Sequence, residues 1–455
     1  MDNQDNKTNS EVQSHTLNRA LHPALVLGLS MADASPIMAS VLLSIGIFSV
    51  GGSFGIVSCA IITFVVMMIS LNLAELGAKY PLAGGSYSVV RAVLPGPFAS
   101  ITFFNMAFQG VFIPASLTLG IGQLEKLIFP DLPIPEVAVA FIALMLAFFV
   151  ASMNIKTGAW TTVILMLIQV IVLVIIIGSA FKNPNWSIIE MIKNPVVLGD
   201  GGSLIPVTGV VMMATMVPTF SVINGYDSVL GFSEEIKGGP RTLGKTVVLA
   251  AFMASVLISA PLIAALLSAP DLVTFFESES PVVYAVDEAW GHAFANVVSV
   301  GVIIAEFSCC TTLLMYFGRT WYTSGRDGMW SKGINKKLSK LNKHQVPGNG
   351  ILFLVACTAV LMFVSSLEWL IIFSGTMICT VYLFVGVAGF VSRIKDKDVE
   401  RPFSIPLWPV PSLIVVFFNG FALITQETQF LIGEIIMIAL ALLCFVVFRK
   451  KGNQL

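Results

Sequence analysis

Pro218-Thr-Phe-Ser-Val-Ile-Asn-Gly-Tyr-Asp-Ser-Val-Leu-Gly-Phe-Ser-Glu-Glu-Ile-Lys237 closes an apolar segment of membrane-spanning length. Asn224, Gly225 and Asp227 precede Glu234 by ten, nine and seven residues. At about 1.5 Å per helical residue, Asn224 lies roughly 15 Å inside the charged end, about half a bilayer core. A polar break therefore falls near the middle of the segment. Unwound backbone at that depth is tolerated only where protein buries it or where it lines a cavity, so the break is a candidate binding site. The plainer alternative is a kinked packing helix with a satisfied asparagine.

The rest of the 455-residue chain sets this stretch in a membrane. It is 56% hydrophobic and only 11% charged, with a mean hydropathy of +0.89, whereas soluble domains carry about 25% charge. The net charge of -1 suggests no nucleic-acid partner. Cys59, Cys309, Cys310, Cys357, Cys379 and Cys444 sit in apolar runs without metal-ligand spacing and read as small core residues. His15, His22, His292 and His344 fall at segment ends or in loops, so neither a metal, a cofactor nor an enzyme's nucleophile-histidine pair is expected. Residues 1–21 are polar, lack a cleavable signal pattern, and read as a disordered tail.

Twelve apolar segments occur, near 22–48, 53–77, 97–121, 134–153, 159–181, 206–232, 243–268, 293–318, 348–366, 369–392, 408–425 and 429–448. With the N-terminus inside and the segments alternating, 22 of the 25 basic residues are cytoplasmic, and only Lys126, Lys182 and Lys193 lie outside. Adding or removing one segment midway destroys this split, so segment count and orientation support each other. Both termini are expected in the cytoplasm of a cell-membrane protein. The loop from Pro270 to Trp290 carries Asp271, Glu277, Glu279 and Asp287 without Lys or Arg, and reads as an outer, solvated surface.

The first segment holds a second interruption, Gly28-Leu-Ser-Met-Ala-Asp-Ala-Ser-Pro36. Asp33 lies about 16 Å along a helix from His22, again near mid-depth. Pro36 lacks an N–H and disfavours helical geometry at Ser35. First and sixth segments run in opposite senses, as inverted repeats would place them. A half-helix N-terminus attracts an anionic group and freed carbonyls attract an amine or a cation, and an α-amino acid has both charges. Asp33 could instead be an acid paired with another helix for structure; intramembrane acids, though, usually mark pathways.

After the second segment comes Ala74-Glu-Leu-Gly-Ala-Lys-Tyr-Pro-Leu-Ala-Gly-Gly-Ser-Tyr87. It resembles the signature after helix two of the amino acid/polyamine/organocation transporter superfamily. Phe232-Ser-Glu-Glu-Ile-Lys-Gly-Gly-Pro-Arg241 and Arg319-Thr-Trp-Tyr-Thr-Ser-Gly-Arg-Asp-Gly328 resemble that superfamily's motifs after helices six and eight. The resemblance covers essentially the whole chain. It implies an all-α polytopic fold of twelve transmembrane helices with a five-plus-five inverted-repeat, LeuT-like core. Residues 22–392 would form the transport core, 393–448 two peripheral helices, and 449–455 a cytoplasmic tail. Substrate would bind between the broken first and sixth helices, at Ser30, Ala32, Asp33, Ala34, Ser35, Ile223, Asn224, Gly225, Tyr226 and Asp227. The bound amine would face the carbonyls of Asn224, Gly225 and Tyr226, with Asp33 or Asp227 as counter-charge. Gly84 and Gly85 permit a tight turn, and Glu75, Glu234, Glu235, Arg319, Arg326 and Asp327 could pair between loops to close an inner gate, or could be solvated surface charge.

The chain departs from this superfamily in two places. Several members carry a coupling lysine within helix five, whereas residues 160–177 contain no lysine and offer only Gln169 as a polar candidate. The first break reads Asp33-Ala34-Ser35-Pro36 where many members have Gly-Ser-Gly. Glu306 is a third intramembrane acid, and Asp33, Asp227 and Glu306 are the candidates for proton coupling. The expected protein is a permease of amino acids, a symporter or antiporter whose partners are a small amino acid or amine, protons and the lipid bilayer. The alternatives are a polyamine or other organic-cation carrier and, more distantly, an intramembrane enzyme or sensor.

Overall fold

A computed structural model describes residues 17, 19–128, 133–199, 201–365 and 367–449. Most of the expected N-terminal tail, and residues 450–455 of the C-terminal one, lie outside these. In chain order the helices are α1 (Pro23–Ala34), α2 (Pro36–Val41), α3 (Ile45–Gly51), α4 (Gly55–Lys79), α5 (Gly85–Val93), α6 (Gly96–Ile128), α7 (Glu136–Ala151), α8 (Ile155–Lys182) and α9 (Ile188–Lys193). A hairpin of β1 (Val196–Leu198) and β2 (Leu204–Pro206) follows, with Val197 opposite Ile205. Then come α10 (Gly209–Val222), a 3-10 helix (Tyr226–Phe232), α11 (Gly239–Ser268), α12 (Leu272–Glu277), α13 (Pro281–Trp290) and α14 (His292–Arg326). The chain ends with α15 (Lys332–Leu338), α16 (Gly348–Val364), α17 (Leu367–Lys395), α18 (Val410–Ile424) and α19 (Thr428–Arg449).

Among the described residues, nine helical stretches are long and apolar enough to cross a membrane, and α7, α16 and α18 are shorter apolar helices. The molecule is an all-α polytopic membrane protein. Its outward faces are apolar, as on α8, where Trp160, Ile164, Leu167, Ile171 and Val174 are exposed. Such a surface is stable only against lipid.

The first segment ends earlier than its composition suggests. Helix ends at Val41, and after a turn α3 joins α4 through a 3-10 turn at Gly52–Phe54, so that 45–79 forms one candidate span. Small residues permit this junction. A side chain on Gly51 would strike Thr215 of α10, and Gly52, at φ 52°, lies against the Val196 carbonyl.

The interior is built around α1. It packs on α8, α11, α14 and the 3-10 helix, while α11 lies along α4 and α14 along α6. His22 caps α1 by accepting from the Ala24 N–H at 3.3 Å. Just before it Leu21 is fully buried: its N–H donates to the Glu235 carbonyl at 2.9 Å and its carbonyl accepts from Lys237 at 2.8 Å. The end of the N-terminal tail is thus tied down. At the opposite end of the bundle, Trp186 and Asn185 donate to the Ala269 and Ser268 carbonyls and hold the α8–α9 connection to the end of α11.

Candidate functional site

Two chain breaks meet in the middle of the bundle. In the first segment α1 stops at Ala34, Ser35 adopts the left-handed conformation (φ 42°, ψ 68°), and Pro36 starts α2. The Ser35 N–H closes the last turn of α1 on Met31 at 2.9 Å, and proline needs no acceptor at the first position of α2. In the sixth segment α10 ends at Val222, residues 223–225 are unwound, and Gly225 at φ 89° leads into the 3-10 helix. A Cβ on Gly225 would lie 2.5 Å from the Ala34 nitrogen and 2.8 Å from the Asp33 carbonyl carbon. Only glycine combines that approach with that backbone conformation. Leu21 pairs with the chain just beyond the 3-10 helix, so α1 and that helix run side by side from a common end to facing breaks.

Hydroxyls and a thiol stitch the two breaks to each other and to α14. Ser30 Oγ lies 3.3 and 3.2 Å from the Gly225 and Tyr226 carbonyls, and its single proton is shared between them. Ser228 donates to the Gly225 carbonyl at 2.9 Å. Those two carbonyls, expected to face a bound amine, therefore already accept from the protein's own hydroxyls. Cys309 Sγ donates to the Asp33 carbonyl at 3.1 Å, and Ser35 Oγ to the Ala305 carbonyl at 3.4 Å. Ala32 and Ile223 are fully buried packing residues.

Three carboxyl groups are placed around this junction. Asp33 and Asp227 are both buried. Asp227 accepts from the Tyr316 hydroxyl at 3.2 Å, and Asn224 Oδ1 from the Tyr382 hydroxyl at 3.0 Å. Tyr382 also stacks on Tyr226, with ring centroids 6.1 Å apart. Glu306, one turn before Cys309, is packed so tightly that a Cβ on Gly120 would sit 2.2 Å from its Oε1. Its Oε2 has no hydrogen-bond partner, and both amide atoms of Gln169 on α8 are likewise buried without one. None of the three carboxyls has a cationic partner among the described residues.

The remaining candidates gather at one end of the bundle. Fully buried Arg319 grips Glu235 with two bonds (Nε 2.5 Å, Nη2 2.9 Å), donates to the Met315 carbonyl, and covers the Phe232 ring at 4.7 Å. Arg326 makes a second two-point pair with Glu234 at 2.8 and 3.0 Å. Glu234 also accepts from the Ala83 N–H at 2.9 Å, beside Gly84 (φ 109°) and Gly85 (φ 65°). A Cβ on Gly85 would meet the Tyr316 hydroxyl at 2.3 Å, so the glycine turn abuts the ring that serves Asp227. Asp327 pairs with Arg91 at 2.8 Å and accepts from Tyr87. Glu75 stands apart from this cluster. It holds Arg393 and Arg401 at the end of α17 and in the segment following it, and accepts from the Ile405 N–H at 2.6 Å.

Sequence reasoning missed Tyr316, Tyr382, Cys309 and Arg91. A signal existed for one of the tyrosines. The chain has only seven, and membrane tyrosines favour the interfaces, so Tyr382, well inside the segment 369–392, implies a hydroxyl with an interior partner; Tyr316, two residues from the end of 293–318, gave no such signal.

Two broken segments of a multi-pass helical membrane protein thus meet inside the bundle, beside acids that form no ion pair among the described residues, an arrangement that suits passage of a polar solute. The family comparison agrees. The amino acid permease family model matches residues 24–448, and the chain belongs to that family, within the amino acid/polyamine/organocation superfamily. It is 20% identical over 428 residues to the branched-chain amino acid permease BcaP of Bacillus subtilis, covering 88% of this chain and 86% of that protein. It is 25% identical over 364 residues to BcaP of Lactococcus lactis, 75% of each chain. It is 23% identical over 467 residues to the methylthioribose transporter of Bacillus subtilis, 95% of each chain. The protein is a multi-pass membrane transporter of the amino acid permease family, not an enzyme.

Proposed function

We propose that the protein is a secondary active amino acid carrier that works by alternating access, with substrate held between the breaks at Ala34–Pro36 and Ile223–Gly225. The observation that carries this reading is the contact of Gly225 with the Asp33–Ala34 backbone. It brings two helix interruptions, with their freed peptide groups and two carboxyls, to one place. Twelve spans arranged as a five-plus-five inverted repeat, with both termini cytoplasmic, are supported by the charge split and by the opposed directions of the two breaks. In this arrangement the Glu235–Arg319 and Glu234–Arg326 pairs act as the inner gate, joining the loops after the second, sixth and eighth spans. Asp33, Asp227 and Glu306 are the proton-coupling candidates.

The names of three relatives, which specify branched-chain amino acids and methylthioribose, favour a net-neutral solute, whereas a putrescine importer of Escherichia coli, 23% identical over 280 residues, favours an amine. Two carboxyls without a cation beside the junction favour the second reading, a polyamine or other organic cation. A competition screen decides between them. Uptake by proteoliposomes, or thermal stabilisation of the purified protein, is measured against the twenty amino acids, putrescine, spermidine and ethanolamine. Neutral amino acids should compete; competition by the amines alone would establish the second reading, and none by any of these solutes would overturn both. Orientation is checked with cysteines near Glu277 and Lys336: the first should label from outside, the second only after permeabilisation.

A further inference from the structure

The segment between α14 and α16 carries charge that no described protein group answers. Lys332, Lys336, Lys337, Lys340 and Lys343 are all exposed, and the sequence has no Asp or Glu from Gly328 through Leu367. None of the five forms an ion pair among the described residues. At the same end of the bundle Arg91, Arg319, Arg326, Arg393, Arg401 and Lys79 each hold a carboxylate; Lys237, Arg241, Lys245, Lys395 and Lys397 are exposed and form no ion pair among the described residues either, but they lie in or beside loops that also carry Asp or Glu. Lys156 adds a sixth exposed cation, since Asn342 donates to the Ser152 carbonyl at 3.2 Å and ties the two loops together. Ile334, 44% exposed on α15, adds an apolar side chain to the same short helix.

This segment is also fixed in place. Leu338 is buried against Gly325, where a Cβ would lie 2.6 Å from the leucine Cβ. Met329 N–H donates to the Ser324 carbonyl at 3.0 Å, Trp330 Nε1 to Ser324 Oγ at 2.9 Å, and Asn349 Nδ2 to the Lys337 carbonyl at 2.7 Å. The lysines are thus anchored to the last turns of α14, the helix that carries Arg319 and Arg326.

We propose that residues 332–343 form a docking surface for anionic phospholipid headgroups in the leaflet this loop faces, and that occupied headgroups steady the gate end of α14. The segment joins two helices read as consecutive spans, so it lies at the bilayer surface. Five point charges on a short fixed element beside an exposed isoleucine match a sheet of phosphates rather than a single deep anion site. The inference rests on the span assignment proposed above, but not on its orientation.

The test uses the full-length protein with an environment-sensitive dye on Gly333→Cys, a position with open space around it. It is reconstituted into vesicles of phosphatidylcholine alone or of phosphatidylcholine with phosphatidylglycerol. Phosphatidylglycerol should shift the dye emission to the blue at low salt, and high salt should reverse the shift. Each lysine removed should weaken headgroup attraction by about fivefold. The combined Lys332→Gln, Lys336→Gln, Lys337→Gln, Lys340→Gln and Lys343→Gln variant should therefore lose the response while keeping uptake in phosphatidylcholine. A dye that reads the same in both lipids, or a response retained by the five-glutamine variant, overturns the proposal. So does an equal shift produced by soluble glycerol phosphate, which would assign the charge to a free anion. Uptake of amino acids is followed in the same vesicles. Loss of uptake in both lipids with the dye response intact would refute the carrier reading and leave the lipid contact standing.

Discussion

The charged end of the bundle and its middle treat carboxyl groups in opposite ways. At the charged end Glu75, Glu234, Glu235, Asp327 and Asp396 each face a guanidinium or ammonium group within 3.1 Å. In the middle Asp33, Asp227 and Glu306 form no ion pair among the described residues; Asp227 accepts from a tyrosine hydroxyl and Glu306 packs on a glycine. A buried pair with two-point geometry is stable and slow to open, which suits a latch. An acid lined only by neutral groups can exchange a proton or meet a cationic ligand without first breaking an ion pair. In the proposed carrier, closing and carrying are separated by the partners of the acids. Breaking one of the two-point pairs of the charged end should damage stability; breaking a member of the middle set should damage transport.

The largest effect is expected at the latch. Arg319→Gln leaves Glu235 buried without its partner, and such a loss costs about 3–5 kcal/mol. Thermal unfolding in detergent should show it, and the double variant Arg319→Met, Glu235→Gln should recover most of the loss. A double variant as unstable as the single one would mean that the pair's worth lies in the Met315 and Phe232 contacts instead. Next comes the junction of the breaks. Gly225→Leu forces a side chain into the Ala34 backbone at positive φ and should abolish uptake, with the protein still reaching the membrane in near-normal amount. Uptake at the wild-type rate would reduce the sixth-segment break to a packing kink.

Much of this contrast was legible in the sequence, and the limits are physical. The breaks were readable because proline, glycine and a midspan asparagine leave a polar mark on an otherwise apolar run. Glu234, Glu235, Arg319 and Arg326 were readable as charges at segment ends. What could not be read is pairing across long separations. Nothing local in Glu75 says that its partners are Arg393 and Arg401 rather than the arginines of α14, because ion-pair choice is set by how helices pack. Ser30 and Ser228 were also hidden as backbone satisfiers, since a serine in an apolar helix reads the same whether it bonds its own turn or a neighbour's. The early end of the first span escaped for a related reason. Leu42 to Phe48 are apolar enough to continue a helix, and what redirects them is the fit of Gly51 and Gly52 against α10 and β1.

A smaller effect, but one that separates the substrate classes, is expected at Asp33. A carboxylate at the junction attracts an amine and repels a carboxylate, so the two effects partly cancel for a zwitterion. For an organic-cation substrate, Asp33→Asn should raise the dissociation constant by tenfold or more, about 1.4 kcal/mol. For a neutral amino acid, binding should change little. If Asp33 carries the coupling proton, exchange should survive while accumulation against a gradient disappears. Binding and accumulation both unchanged would leave Asp33 as a structural acid.

The smallest expected effect lies within the charged end itself, where two exits from the membrane titrate in opposite directions. Burial pushes the Asp327 carboxyl above its ordinary value of 3.8, although Arg91 and Arg326 pull it back down. At Asp396 the Tyr80 hydroxyl, followed by Lys79, holds the carboxyl below that value despite some burial. For Asp327 the folded state binds its proton more tightly than the unfolded chain does. Its contribution to stability is therefore fully present below the unfolded value and is lost as pH rises through the higher folded value. For Asp396 the contribution is present above the unfolded value and is lost as pH falls through the lower folded value. Asp396→Asn should thus cost stability at neutral pH, by less than about 1 kcal/mol for a partly exposed pair, and should cost nothing in acid. Asp327→Asn should do the reverse, removing a neutral-pH deficit and flattening the decline of stability above 3.8. Midpoints of thermal unfolding for both variants and the parent, followed from acid to neutral pH, measure these slopes. Parallel curves for the two variants would mean that both acids act as ordinary surface carboxylates and that the latch owes its strength to Glu234 and Glu235 alone.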